Sequence, residues 1–298
     1  MLTAHSVETD EEEILKWDFD TLLIHGITDG RSLSYVTSRV FKMSSSILSQ
    51  YSGEVVRLGR FFSRVEMAYN PSTLPIPSYH NVVHGADVTQ ALIFLLQGPP
   101  KLLSSFSQVE DLGLVFLSAI FAAAMHDYDH PGYTNEYMIK SRHPLALLYN
   151  DISVLENHHA SSAIRLLERE ESSIFTRSKF RFFRKLVVEM ILSTDLSKHS
   201  EFLNSKKNDY RQTLCLALHC SDISSSARPV LISQKWKKLI WEEFTNQAKL
   251  EVDFSTGINN LCSRKSQIYF IDKICRPVFL KIPKTDECLF HLEQNRNI

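Results

Sequence analysis

An all-α fold is predicted for this chain by three features of its sequence. Glycine is scarce, at 9 of 298 residues. Apolar residues mostly recur at the three- and four-residue spacing that lines one face of a helix. The longest uncharged apolar run, LGLVFLSAIFAAAM, covers 14 residues from Leu112 to Met125. A bilayer span needs about 20 such residues, so this run reads as a buried core helix and the chain contains no membrane segment.

The elements follow in order. Residues 1–13 are acidic and read as a flexible leader, and TAHSVETDEEE after Met1 is not a secretory signal. Residues 14–298 read as one compact unit, with about three helical subdomains around one cleft. A first helical region spans about Ile14 to Tyr69, its serines marking an exposed face or a break. Three prolines in NPSTLPIPS end it in a rigid turn. From Tyr79 to about Asn157 the chain is dense in helices, interrupted at Pro99-Pro100 and at HPGYTN. The charged LEREESSIFTRSKFRFFRK leads into the apolar LVVEMILSTDLSKH, and LCLALHCSDIS forms a further helix that ends at SARPV. Then come QKWKKLIWEEFTNQ, a polar loop near 252–265, and SQIYFIDKICRPVF as the final helix.

Composition narrows the function. Hydrophobic residues at 44% and charged residues at 22% are ordinary for a globular protein. A net charge of −1 lacks the basic footprint of a nucleic-acid binder. Small anionic substrates stay open, because a bound metal supplies its own local positive charge. Cys215, Cys220, Cys262, Cys275 and Cys288 form no CxxC pair, which fits reduced thiols in a cytoplasmic protein.

The chemistry-bearing residues lie in three segments. YHNVVHGADVTQ supplies His80 and His84, four apart and hence on one side of a helix. AAAMHDYDHPGYTN supplies His126, Asp127 and His130 at the end of the apolar run, where Pro131-Gly132 breaks the chain. ALHCSDIS supplies Asp222 at a third helix end. A lone histidine is usually a packing or surface residue, but three apolar helices that each end in a metal ligand are hard to explain as packing. Two histidines with two carboxylates suit Zn²⁺, Fe or Mn²⁺ and disfavour an all-oxygen Ca²⁺ site. Asp127 could bridge to a second, largely hydrated ion such as Mg²⁺. Two ions ~3.5–4 Å apart would hold a hydroxide between them and clamp a phosphoryl group. His130, Glu156, His159, Thr194 and Asp195 then read as an outer set that orients ligands and water.

YHNVVHGADVTQ, AAAMHDYDHPGYTN, YNDISVLENHH, STDLSKH, HCSDIS, WEEF and SQIYFID occur in the order and approximate spacing of the class I cyclic nucleotide phosphodiesterases, which the chain resembles from Trp17 to Phe279. The resemblance implies a compact helical catalytic domain with an HD-type metal site, hydrolysing 3′,5′-cyclic nucleotides to 5′-monophosphates. It implies His84, His126, Asp127 and Asp222 as ligands of a tighter Zn²⁺, with Asp127 bridging to Mg²⁺ or Mn²⁺. It makes His80 the general acid towards O3′ and Glu243 the carboxylate that keeps it cationic. Gln267 matches a purine-reading amide, Phe270 and Ile223 the two faces that sandwich the base. Tyr79, Leu196, Ile240 and Phe244 match pocket-lining positions.

The chain departs from the family pattern in places. Gly85 stands for the usual alanine, Tyr269 for a glycine, and Ser263 for an aspartate in a shortened loop before Gln267. Ser225 and Lys237 sit where members vary with nucleotide preference. Gln267 can serve either purine by rotating its amide, so the lean of the sequence towards cAMP is slight. Two other readings share part of the pattern. Another hydrolase of the HD superfamily has no need of the SQIYFID and YHN segments. A catalytically weak or inactive nucleotide-binding homologue would have no need of His80 and Glu243. No regulatory module is recognisable, and a homodimer is compatible with the sequence.

Overall fold

A computed structural model describes residues 11–97, 102, 106, 109–204, 209–283 and 285–298. Among them are helices and turns but no strand, as the sequence predicts. Most of the acidic leader and the break at Pro99-Pro100 lie outside the described residues.

The first helical region divides into α1 (Thr21–Ile27), α2 (Ser32–Met43) and α3 (Ser52–Val65), with the serines after Met43 forming the break. Residues 70–78 carry no helix, and α4 (Val82–Gln97) follows. The apolar run is α5 (Leu112–Met125), capped by Asp111, whose carboxylate accepts the Leu114 N–H at 3.0 Å. Every residue of α5 from Gly113 onward is buried, and it packs against α4, α8 (Val154–Glu170) and α9 (Arg177–Leu192). Short helices α6 (Asn135–Lys140) and α7 (Pro144–Leu148) precede α8, and α10 (His199–Asn204) follows α9. Burial of each large side chain of α5 contributes roughly 1.5–3 kcal/mol, so the helix end that bears His126 is anchored by the core itself.

The second half holds α11 (Tyr210–Asp222), α12 (Val230–Ala248), α13 (Arg264–Tyr269) and α14 (Arg276–Phe279). The segment expected as one final helix is α13 and α14 joined through a π-helical stretch, Phe270–Cys275. A further helix, α15 (Asp286–Arg296), was not anticipated. DECLFHLEQNR is mostly polar, and only Cys288, Leu292 and Asn295 are buried. Tertiary contact rather than local pattern holds it: the Asn295 amide donates to the carbonyls of Ser226 and Arg228 at 2.9 and 2.8 Å.

Arg228 ties the turn after Asp222 to the front of the molecule. Fully buried, it donates to Asp87 Oδ1 at 3.0 Å, Gln90 Oε1 at 2.6 Å and the Trp17 carbonyl at 2.9 Å. Trp17 Nε1 in turn donates to the Ala227 carbonyl at 2.7 Å. A buried ion pair is costly to desolvate, and here acceptors from three segments meet both terminal nitrogens of Arg228, while its Nε stays buried without a partner.

Candidate active site

The ends of α5 and α11 and the start of α4 meet at the floor of a cleft of about 1110 Å³. The candidate ligand atoms of His84, His126, Asp127 and Asp222 all lie within 4.8 Å of one another. His84 Nε2 is 3.1 Å from Asp222 Oδ1 and 3.4 Å from Asp127 Oδ2, and His126 Nε2 is 3.2 Å from each. Metal bonds of ~2.0–2.1 Å would place neighbouring donor atoms ~3 Å apart, which these spacings match.

The donor chemistry fits a cation. His126 Nδ1 donates to the Ala123 carbonyl at 2.9 Å, so in the neutral ring the Nε2 lone pair points at two carboxylates. Burial works against a charged His126, yet Asp127 and Asp222 hold its pKa well above the usual histidine range. Burial likewise opposes ionisation of both aspartates, and His126 outweighs it, keeping each well below the usual carboxylate range. The site requires positive charge between its two histidines and its two carboxylates. Asp127 Oδ2 and His159 Nε2 are buried with no hydrogen-bond partner, as groups that await an ion or its water would be.

His80 is placed differently from the sequence expectation. Asn81 Oδ1 accepts the Val83 N–H at 2.9 Å, while its amide donates to the Pro77 and Ser78 carbonyls at 2.9 and 3.1 Å. That cap starts α4 at Val82, so His80 lies in the turn ahead of the helix and not on one helical face with His84. The two rings still meet edge-on, 5.8 Å between centroids. Glu243, from α12, accepts from His80 Nδ1 and from the backbone N–H groups of Tyr79 and His80 at 2.8 and 3.1 Å. Burial pulls the His80 pKa down, but Glu243, with Asp127 and Asp222 behind it, lifts it to about 9.

His80 stacks on His130, 4.0 Å between centroids, and His130 stacks on His159 at 5.3 Å. Burial and the neighbouring His80 charge keep His130 well below the usual histidine range, and burial lowers His159 to about 4. Both rings are therefore neutral beside a cationic His80. His130 Nδ1 accepts the Gly132 N–H at 2.9 Å, and Gly132 turns the chain onward at a φ of +79°, which glycine adopts without a Cβ penalty. Burial and Asp195 raise Glu156 to about 7, and the Asn135 amide donates to both its oxygens at 3.0–3.1 Å. Thr194 lines the same cleft.

Gly85 has a purpose the sequence did not reveal. A Cβ there would lie 2.8 Å from the Tyr69 hydroxyl oxygen and 3.0 Å from the Ala124 carbonyl oxygen. The Tyr69 hydroxyl fills that space and donates to the Ala124 carbonyl at 3.0 Å, directly beneath the His126-Asp127 pair.

The other end of the cleft is the candidate base pocket. Leu196, Ile240, Phe244, Gln267 and Phe270 line it, with Leu196 half-exposed at the mouth, while Ile223 and Tyr79 line the cleft next to the floor, the Tyr79 ring 4.6 Å from that of His84. Ser263 caps α13, its hydroxyl accepting the Ser266 N–H at 3.2 Å, so the shortened loop still delivers Gln267 from an ordered helix start. Tyr269 lines the outer wall and is largely exposed. Sequence reasoning missed Asn70, whose amide donates to the His80 and His130 carbonyls at 3.1 and 2.9 Å and so ties the two turns together. It also missed Asp129, held at a φ of 65° while accepting from Ser72 and His158. The second acidic residue of HDYDH was the available signal for the latter.

An all-helical fold with a His/Asp cluster able to bind divalent metal defines a class, and the comparisons with known proteins make it specific. The family model for 3′5′-cyclic nucleotide phosphodiesterase matches residues 79–294, and the chain belongs to that family. It is 34% identical to the rat 3′,5′-cyclic-AMP phosphodiesterase 4C over 97% of this chain and 60% of the relative. It is 36% identical to the human dual specificity calcium/calmodulin-dependent 3′,5′-cyclic nucleotide phosphodiesterase 1B over 88% of this chain and 50% of that protein. The probable 3′,5′-cyclic phosphodiesterase pde-1 of Caenorhabditis elegans is 34% identical over 90% of this chain, which spans 42% of that relative. The chain thus covers only about half the length of these curated relatives. The crystal structure of the phosphodiesterase domain of the RhoPDE fusion protein of the choanoflagellate Salpingoeca rosetta superposes with a TM-score of 0.80 at 26% identity, covering 97% of this chain and 96% of that one.

Proposed function

We infer that the protein hydrolyses 3′,5′-cyclic nucleotides to 5′-monophosphates, with residues 14–298 as the catalytic unit. The observation that carries this reading is a histidine held cationic by a buried glutamate, poised above a His/Asp cluster in the same cleft as an amide and an aromatic ring.

His84, His126, Asp127 and Asp222 would hold the tighter ion, Zn²⁺ by ligand type, with Asp127 also facing a second ion, Mg²⁺ or Mn²⁺. When bound, the ions supply an activated water and neutralise the phosphoryl charge. Attack at phosphorus breaks the P–O3′ bond, and the departing O3′ takes its proton from His80, whose other nitrogen is gripped by Glu243. His130, neutral and stacked on His80, keeps that ring in line without competing for its proton. Glu156, His159 and Thr194 face the same floor and orient water there. Phe270 and Ile223 supply flat apolar faces for the base, Gln267 a donor and an acceptor at its edge, and Tyr79, Leu196, Ile240 and Phe244 the surrounding wall.

No helix among the described residues is long and apolar enough to cross a membrane, and all five cysteines are free, which accords with a cytoplasmic setting. Incubation with cAMP and cGMP in Mg²⁺ or Mn²⁺ tests the reading. Release of the 5′-monophosphate is expected. Hydrolysis of other phosphate esters alone would assign the chain to different chemistry.

A further inference from the structure

Asn70 joins the turn of His80 to the turn that follows His126 and Asp127. It is buried, and its NH₂ group donates to the His80 carbonyl at 3.1 Å and to the His130 carbonyl at 2.9 Å. Both neighbours are acceptors, so only the donor end of the amide can face them. A single nitrogen therefore bridges the turn before α4 and the turn after α5. The latter is tied in turn to the metal floor, because the Asp127 carbonyl accepts the His130 N–H at 3.1 Å.

The segment that carries Asn70 is held on both sides. The Tyr69 carbonyl accepts the Asp129 N–H at 2.9 Å, and the Ser72 N–H and hydroxyl donate to the Asp129 carboxylate at 2.9 and 3.0 Å. Glu243 grips His80 from the α12 side, taking Nδ1 and leaving Nε2 as the nitrogen that can serve a leaving group. That grip sets the rotation of the ring. The stack of His80 on His130, 4.0 Å between centroids and 20° between planes, needs the two turns to stand at a fixed separation as well.

We propose that Asn70 is a positioning residue for proton transfer, holding His80 at the distance from the metal floor at which the departing O3′ can take its proton. This rests on the phosphodiesterase reading above. The P–O3′ bond breaks as the water oxygen bonds to phosphorus, and the electron pair left on O3′ takes the proton of His80 Nε2. Asn70 touches none of these atoms and acts through the backbone of His80.

The test is Asn70→Asp, which keeps the shape of the side chain and removes both donors. It is assayed in the metal-loaded protein on cAMP and cGMP, and on the analogue of each in which sulfur replaces the bridging O3′. A thiol ionises at about pH 8.5, so a thiolate departs with far less need of a proton than an alkoxide. The variant is expected to lose about 10–100-fold in kcat on the oxygen substrates, and less than about threefold on the sulfur analogues, with KM and bound metal within about twofold of native. Equal losses on the two kinds of substrate mark a merely structural role and overturn the proposal, as does an unchanged kcat or a loss of metal. If Asn70→Asp fails to fold, Asn70→Ser, which keeps one donor, carries the same comparison. A native protein inactive on both cyclic nucleotides refutes the phosphodiesterase reading before any variant is compared, and the proposal falls with it.

Discussion

The two ends of the cleft are built on different principles. At the floor, His84, His126, Asp127 and Asp222 come from three helix ends anchored in the core, where His126 donates to a backbone carbonyl and a buried arginine holds the turn after Asp222. At the mouth, Gln267 and Phe270 come from a short capped helix and a π-helical stretch, beside a shortened loop and a half-exposed Leu196. The geometry of the floor is over-determined, whereas at the mouth single side chains such as Lys237 and Tyr269 can change without disturbing the core. Damage to the floor should abolish the reaction, and damage to the mouth should alter which substrate is taken.

The largest effect is expected for Asp222→Ala. Losing a ligand should exceed the ~10–100-fold cost of losing groups that merely orient ligands, and the tighter metal should be lost with the activity. Elemental analysis beside a turnover assay checks this, and normal metal content would break the ligand assignment.

Next comes His80→Gln, expected to lower kcat by ~10²–10⁴ while leaving metal content unchanged. The pH profile sharpens the same point. His80 must carry a proton to donate it, and its pKa is about 9. Turnover should therefore hold below that value and fall as pH rises through it. Glu243→Gln removes the carboxylate that offsets burial, so the fall should move to lower pH.

Gly85→Ala should destabilise the floor by about 1–3 kcal/mol in thermal unfolding, because its new methyl would meet the Tyr69 hydroxyl and the Ala124 carbonyl. Helix propensity alone predicts the opposite sign, a gain of up to ~1 kcal/mol. The smallest effect is expected at the mouth: Gln267→Ala should raise KM about tenfold with kcat little changed, whereas an equal fall in kcat would erase the contrast between the two ends.

How much of this was legible follows the same division. The floor could be read because short motifs carry it: α5 announces itself as an apolar run, and His126-Asp127 sit at its end. His80 was found but misplaced, since the Asn81 cap that starts the helix two residues later acts through a side chain the spacing argument ignored. Gly85 showed only as a glycine in place of the usual alanine, because its reason, the Tyr69 hydroxyl, lies 16 positions away in sequence. Helix α15 and the Arg228–Asp87 pair were invisible for a related reason: Asn295, Arg228 and Asp87 read as ordinary surface polar residues until the fold buries them. Lys237 was noticed as a variable position, but its hydrogen bond to Gln267 Oε1 at 3.1 Å joins residues 30 positions apart.

The most direct measurement is a metal titration of the stripped protein. After chelation, Zn²⁺ and then Mg²⁺ or Mn²⁺ are returned stepwise while bound metal and 5′-monophosphate release are followed in the same samples. Turnover should be absent without metal and return as the sites fill, with the first equivalent bound far more tightly than the second. Cyclic nucleotide hydrolysis that persists undiminished in metal-free protein would contradict the assignment of the His/Asp floor as the seat of the reaction.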